Sequence, residues 1–188
     1  MSRVLIHEPE ARMTREAYRT WAEQQPLGRF ERIEGVVVAM APERAAHNLR
    51  KASAYTVLRA AAQRAGLPCQ VFTDGMTIEV GDSDYEPDAV LRCGADRLPA
   101  DTMIVPDPVV IVEVLSPSTA GVDRSLKLRD YFRVPSLRHY LIVWPDVRRI
   151  VRHSRLMDQD IDTKLFISGT ISLDPPGLSL AFDDCYID

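Results

Sequence analysis

The sequence predicts one α/β (α+β) domain in which a mixed central sheet is flanked by helices. Two apolar runs rich in β-branched residues, at 88–92 and 109–115, each carry an acid and are typical of buried strands. Helix caps and stops before and after these runs make strands and helices follow one another along the chain. With 188 residues and 46% hydrophobic content, the chain is long enough for one domain, 1–188, with a substantial core.

The first half predicts two helices and a hairpin. Thr14 is a suitable N-cap, the Glu34-Gly35 pair fits a tight turn, and Gly66 fits the end of an alanine-rich helix. The predicted elements are a loose arm (1–12), a helix (14–24), a hairpin (30–41) and a second helix (45–65).

The second half is richer in strands. Asp123 can cap a helix that ends before Pro135. The predicted strands are 70–73, 76–80, 88–92, 109–115 and 139–143, with shorter β segments at 149–153, 164–167 and 178–182, and the helix is 123–133. The core is expected to span about 13–153, followed by a C-terminal β extension at 154–188.

The acids of the two buried runs, Asp88 and Glu113, are candidate metal ligands. A carboxylate inside an apolar strand is costly to bury unless a cation or hydrogen bonds compensate it. Two such carboxylates on neighbouring strands are suited to a hard divalent cation such as Mg²⁺ or Mn²⁺. A structural interpretation is also open for each: Asp88 as a turn residue at the strand entry, and Glu113 as a buried carboxylate satisfied by hydrogen bonds.

Charge is unevenly distributed along the chain, although the net charge is only −4. Residues 123–155 contain nine Lys or Arg against three Asp, and residues 156–188 contain seven Asp against one Lys. A basic segment is compatible with phosphate binding. An ordinary charged surface explains it equally well, so charge alone does not decide the partner.

Several classes are disfavoured by missing motifs. Cys69, Cys93 and Cys185 are odd in number and lack C-x-x-C spacing, which predicts reduced thiols in the cytoplasm and neither a disulfide nor a zinc site. The N-terminus does not resemble a signal peptide, and no apolar run is long enough to predict a membrane span. There is no G-x-S-x-G elbow and no phosphate-binding glycine loop.

The order of elements and a set of short strings resemble a known family. The chain is similar to the Uma-two family, described as putative restriction endonucleases of the PD-(D/E)XK nuclease superfamily. The strings that carry the resemblance are Phe30-Glu31-Arg32-Ile33-Glu34-Gly35, His47, Pro87-Asp88, Glu113-Val114-Leu115-Ser116-Pro117-Ser118-Thr119, Asp123-x-x-x-Lys127-x-x-x-Tyr131 and Tyr140-Leu141-Ile142-Val143.

This resemblance implies a restriction-endonuclease-like core and Mg²⁺-dependent hydrolysis of DNA phosphodiester bonds. Asp88, Glu113 and the Val114 carbonyl would hold the metal. The superfamily's lysine is expected two residues after the glutamate, where this chain has Leu115. The resemblance points instead to Lys127, on the following helix, directed into the pocket of the two acids.

The remaining candidates are assigned to phosphate and DNA. His47, with Glu31, could contact a phosphate or a metal-bound water. A homodimer is expected, because cutting both strands of a duplex needs two sites. The residues expected to contact the DNA backbone are Lys51, Arg124, Arg148, Arg149 and Arg152.

Other interpretations stay open at this point. Lys127 and Asp123, four residues apart, could form a surface ion pair, and His47 could be a polar surface histidine. The rival functions are a non-catalytic nucleic-acid-binding or assembly module that retained the fold, and a metal-dependent hydrolase of small phosphoesters.

Overall fold

The fold combines three helices with twelve strands and a short 3₁₀ segment in the part of the chain that the structure describes. The computed structural model describes residues 12–115, 124–158 and 160–187, with the side chain of Arg124 excluded. The helices are α1 (Arg15–Glu23), α2 (Ala45–Arg64) and α3 (Arg124–Tyr131), and a 3₁₀ turn covers Asp183–Tyr186. The strands are β1 (Phe30–Ile33), β2 (Val36–Ala39), β3 (Cys69–Thr73), β4 (Ile78–Val80), β5 (Ser83–Tyr85), β6 (Ala89–Cys93), β7 (Pro108–Val114), β8 (His139–Trp144), β9 (Arg149–Arg155), β10 (Ile161–Phe166), β11 (Thr170–Leu173) and β12 (Leu178–Ala181).

A six-stranded sheet in the order β10-β9-β8-β7-β6-β3 forms the centre. The β7–β8 pair is parallel and the other pairs are antiparallel. The parallel pair arises because α3 crosses over between β7 and β8, which returns the chain in the same direction. The predicted mixed central sheet is confirmed.

The two faces of this sheet bury different layers. The apolar residues alternate along β7, so that Val110, Val112 and Val114 face α2 and the β11–β12 hairpin, whereas Ile111 faces α3. Burial on both faces explains why the strand reads as a nearly continuous apolar run. Helices α2 and α3 therefore approach the central strands from opposite sides.

A second sheet, in the order β2-β1-β5-β4, lies on the α3 side. Its buried ion pair joins Arg32 Nε to Asp84 Oδ2 at 2.6 Å, and Arg15 Nε donates to the other oxygen of Asp84 at 2.7 Å. The β1–β2 turn uses positive φ at Glu34 and Gly35, as the sequence predicted. This sheet carries Glu31 towards the site.

Most of the predicted elements occur near their predicted positions, and two strands were missed. Thr14 caps α1 through its hydroxyl, which accepts from the Ala17 N–H. The missed strands are β5 and β11, which are short and partly polar. Strand β10 belongs to the central sheet, so part of the 154–188 extension completes the core. The arm at 1–11 and the Asp123 cap lie outside the described residues.

One prediction about the cysteines is wrong. Cys69 and Cys93 are directly opposite each other in the β3–β6 pair and form a disulfide. No C-x-x-C motif marks this pairing, because it depends on strand register. Cys185 is free and buried. None of the helices in the described part of the chain has the length and hydropathy of a membrane span.

Candidate active site

The two candidate acids meet at one end of the β6–β7 pair. Ala89 is paired with Val112, which places Asp88 opposite Glu113 in the same antiparallel register. Asp88 is buried and Glu113 is largely buried. The strand register alone therefore brings two carboxylates together where the sheet ends.

Asp88 is held by a backbone group and a lysine. Its Oδ2 accepts from the Val114 N–H at 2.6 Å, and its Oδ1 lies 2.8 Å from Lys51 Nζ. Lys51 projects from α2 and is buried. Lys51 was predicted to contact DNA, and the structure places it inside the site as an ion-pair partner of Asp88.

Glu113 has its own lysine on the opposite helix. Its Oε1 accepts from Lys127 Nζ at 2.9 Å and from the Tyr131 hydroxyl at 2.7 Å. Lys127 also donates to Glu31 Oε1 at 3.0 Å. Lys127 points into the pocket, as expected, and its possible surface partner Asp123 lies outside the described residues.

The helix position of this lysine follows from the packing of α3. Leu128 and Tyr131 anchor α3 on the face of the sheet towards which Ile111 and Glu113 point. Leu115 packs against the same apolar cluster. The lysine that contacts Glu113 therefore comes from α3, and residue 115 is part of the apolar packing.

His47 supports the strand end from the other side. Its Nε2 donates to the Val114 carbonyl at 2.8 Å, because only the ring nitrogen can supply a proton to that oxygen. His47 and Lys51 are one turn apart on α2, so both face the site. The predicted metal ligand Val114 is therefore held by protein contacts at both its N–H and its carbonyl.

The pKa values reflect the burial of several carboxylates close together. Burial, reinforced by Glu113, raises the pKa of Asp88 to about 6. Burial likewise raises the pKa of Glu31, against the opposing effect of Lys127. Burial alone would lower the pKa of Lys127. The negative charges of Glu113 and Glu31 outweigh this effect, so that the pKa is raised. The raised pKa values of the two acids favour their neutral forms, and the raised pKa of Lys127 favours its positive form. Both changes reduce the net negative charge of the site.

Lys51 links Asp88 to a second group of charges that sequence reasoning missed. Its Nζ contacts Asp74 Oδ2 at 2.9 Å and also Glu43. Arg29 connects to Asp74, and its Nη2 lies 2.8 Å from Glu86 Oε2. The available signal was the four-residue spacing of His47 and Lys51, which places both on one helix face.

The predicted DNA-binding arginines differ in their availability. Arg148 Nη2 lies 2.7 Å from Asp183, and Arg152 Nη2 lies 3.0 Å from Asp162, so acids of the C-terminal segment pair with both. Arg149 is exposed at the start of β9, beside the end of β8. Arg152 is largely buried, and the basic and acidic segments neutralise one another in part.

The oxygen donors present suit a magnesium ion. Asp88, Glu113 and the Val114 carbonyl offer hard oxygen ligands, and Mg²⁺ commonly uses one or two carboxylates with waters. Within the described residues, no three His, Cys, Asp or Glu side chains converge to form a complete metal site. Lys51 has Glu43 and Asp74 as further partners, so Asp88 can exchange it for a metal without leaving the lysine unpaired.

A central mixed sheet with paired acids at a strand end and a lysine from a flanking helix defines a protein of the nuclease fold. A crystal structure of a protein from Anabaena variabilis, described as a putative nuclease belonging to DUF820, has the same fold, with a TM-score of 0.75 and 15% sequence identity. The alignment covers 93% of this chain and 97% of that chain.

Residues 15–183 match the model of the Uma2 family, described as "Putative restriction endonuclease". The chain belongs to the Uma2 family, as the sequence predicted. It is similar to the uncharacterized protein slr1290 of Synechocystis sp., with 29% identity over 97% of both chains. A second Synechocystis sp. relative, the uncharacterized protein sll1609, is 26% identical over 73% of this chain and 78% of its own.

Proposed function

We propose that this protein is a metal-dependent nuclease that hydrolyses DNA phosphodiester bonds at the Asp88–Glu113 pair. The observation that carries the proposal is that Asp88, just before β6, Glu113 of β7 and Lys127 of α3 meet at one end of the central sheet. The Uma2 family and the nuclease fold support the class of reaction. The metal, Mg²⁺ or Mn²⁺, and the DNA substrate are proposals that rest on site chemistry.

The charge balance of the site supports a bound divalent cation. Among the described residues, ion pairs and hydrogen bonds link three cations, Arg29, Lys51 and Lys127, to twice as many carboxylates. The carboxylates belong to Glu31, Glu43, Asp74, Glu86, Asp88 and Glu113. The excess of negative charge repels a phosphate. A divalent cation held by Asp88 and Glu113 would offset this charge. When bound, it also lowers the pKa of a coordinated water and polarises the phosphate.

The protein groups then have distinct roles. Since its pKa is raised, Lys127 is protonated and would orient the attacking water and stabilise negative charge on the phosphate. Tyr131 fixes Glu113 through its hydroxyl. His47 holds the Val114 carbonyl in place, which is a positioning role and replaces the phosphate contact first expected of it. Glu31 orients Lys127 from the second sheet.

The DNA backbone is expected to lie along the site edge, near exposed Arg149. This assignment is a proposal, as is a cytoplasmic location, where the substrate would be found. The Cys69–Cys93 disulfide is the feature at odds with that compartment, since cytoplasmic thiols are usually reduced.

A non-catalytic DNA-binding module is the second candidate. Leu115 at the motif position of the lysine favours it. Such a module binds DNA in EDTA and does not cut it, whereas a nuclease cuts when Mg²⁺ or Mn²⁺ is present.

Plasmid cleavage and calorimetry test the proposal together. The wild-type protein should nick or linearise DNA with Mg²⁺ or Mn²⁺ and not in EDTA. Asp88→Asn and Glu113→Gln should each lose cleavage and the Mn²⁺ site. Asp107→Asn is the matched control, because Asp107 pairs with Arg92 at 2.5 Å near the opposite end of β6 and β7. Unchanged Mn²⁺ binding in both site variants would reject the metal assignment.

A further inference from the structure

The outer strand of the central sheet has one unpaired edge and mostly exposed side chains. Strand β10 is at the end of the strand order, so β9 covers only one of its edges. Five of its six residues are exposed, including Ile161 at 40% and Leu165 at 54%. An edge strand with unpaired backbone groups and exposed apolar side chains is a template for pairing with another strand.

The sequence of this strand is complementary to itself when reversed. We propose that β10 pairs antiparallel with β10 of a second copy, centred on Thr163, and extends the two six-stranded sheets into one. In this register Asp162 is opposite Lys164 of the second copy, and Ile161 is opposite Leu165. Opposite charges and apolar pairs at directly opposed positions both stabilise a sheet. The arrangement is isologous, as a twofold dimer requires.

Exposed apolar residues at both ends of the strand fit the same arrangement. Leu156 and Met157, in the turn before β10, are 45% and 101% exposed, and Ile167, just after the strand, is 69% exposed. Antiparallel pairing brings the turn of one copy beside the strand end of the other. The ends of β10 then gain apolar contacts in the dimer that a single copy lacks.

The charges also define which partner fits. A lysine in the middle of an edge strand normally opposes pairing with unrelated strands. In the proposed register Lys164 lies opposite the carboxylate of Asp162 of the second copy. Asp162 already accepts from Arg152 Nη2, and a carboxylate has room for a second cation. The surface therefore selects a second copy of this chain.

This inference does not depend on the proposed nuclease activity. In the strand order, β9 and β8 separate β10 from β7, which carries Glu113. Dimerisation through β10 leaves the candidate site of each copy uncovered by this interface.

Sedimentation equilibrium tests the pairing through a charge swap. The wild-type protein should show twice the monomer mass of 21.1 kDa. Lys164→Asp and Asp162→Lys each place like charges opposite one another twice, so each should weaken the dimer about tenfold or more. The Asp162→Lys/Lys164→Asp double variant restores opposite charges and should restore the dimer. Asp101→Lys, an exposed charge reversal in a loop outside the sheet, is the control.

A cross-link tests the register directly. Thr163→Cys places two thiols opposite each other at the twofold axis, with Cα atoms about 4.5–5.5 Å apart, a distance that permits a disulfide. Mild oxidation should give a covalent dimer, which Asp101→Cys should not. The proposal is overturned by a wild-type mass of 21.1 kDa at all concentrations, by a swap that does not restore the dimer, or by no faster cross-linking of Thr163→Cys than of the control.

Discussion

Replacing Asp88 with asparagine should make the protein more stable at neutral pH. Burial and Glu113 raise the pKa of this carboxyl from 3.8 to about 6. The folded state thus binds the proton more tightly than the unfolded state, and the free energy of unfolding falls as pH rises from about 4 to about 6. Above that window, a shift of this size corresponds to a cost of about 3 kcal/mol.

The pKa of about 6 already includes the attraction between Asp88 and Lys51, which lowers it, so the cost of about 3 kcal/mol is the upper limit of the gain. The asparagine oxygen can still accept from the Val114 N–H, but it no longer offers a charge to Lys51. Lys51 keeps Glu43 and Asp74, so the loss is partial. We therefore expect Asp88→Asn to raise the free energy of unfolding by up to about 3 kcal/mol at pH 7, and to give no gain below about pH 4.

Urea unfolding in EDTA across pH 4–8 measures this effect. The wild type should lose stability between about pH 4 and 6, and Asp88→Asn should lack most of that decline. Asp107→Asn, whose carboxyl lies outside the site, should retain it. Asp88→Asn could instead be less stable than wild type at pH 7, or show the same pH dependence. Either result would refute the conclusion that the surroundings of Asp88 destabilise its ionised form.

Three further predictions concern the ion pairs of Lys127, the ion pair of Arg32 with Asp84, and the proposed DNA surface. Lys127→Met should reduce cleavage at least about 100-fold. It should also destabilise the fold by about 3–5 kcal/mol, since Glu113 and Glu31 lose their shared cation. Arg129→Met, on the same helix but exposed, should change urea unfolding little. Arg32→Met should cost about 3–5 kcal/mol in the same unfolding assay, because it leaves Asp84 buried without this cation. DNA affinity should fall steeply with salt, and Arg149→Glu should lower the slope of that dependence by about 1 in a filter-binding titration.

Each has an outcome that contradicts it. Full cleavage by Lys127→Met would remove the lysine from the reaction and favour the binding module. Arg32→Met with wild-type stability would show that the second sheet does not depend on its buried ion pair. A flat salt response would remove DNA as the partner.

The sequence predicted the central part of the site because its signals are local. Asp88 and Glu113 each stand out as the acid of an apolar strand, and neighbouring strands bring them together. Lys127 was found through the family resemblance, since no spacing rule places a helix residue against a strand fourteen residues away. The fold class followed from the same alternation of strands and helices.

The missed features depend on contacts between distant segments. Lys51 appears as a polar helix residue, and the three carboxylates that surround its ammonium group come from three separate loops. The Cys69–Cys93 bond requires the register of β3 against β6. Arg152 appears basic in sequence, yet Asp162 reaches it only across the β9–β10 pair.

The candidate site is built from segments far apart in the chain, and this determines when the site can assemble during synthesis. Glu31 and Lys127, which share a hydrogen bond, are separated by 96 residues, and the lysine comes from the last of the three helices. A nascent chain that ends before α3 contains Glu31 and Glu113 but lacks Lys127, which donates a hydrogen bond to each of them. The arrangement of acids and lysine therefore cannot assemble on a truncated product, and a transient detachment of α3 in the finished protein would disrupt it in the same way.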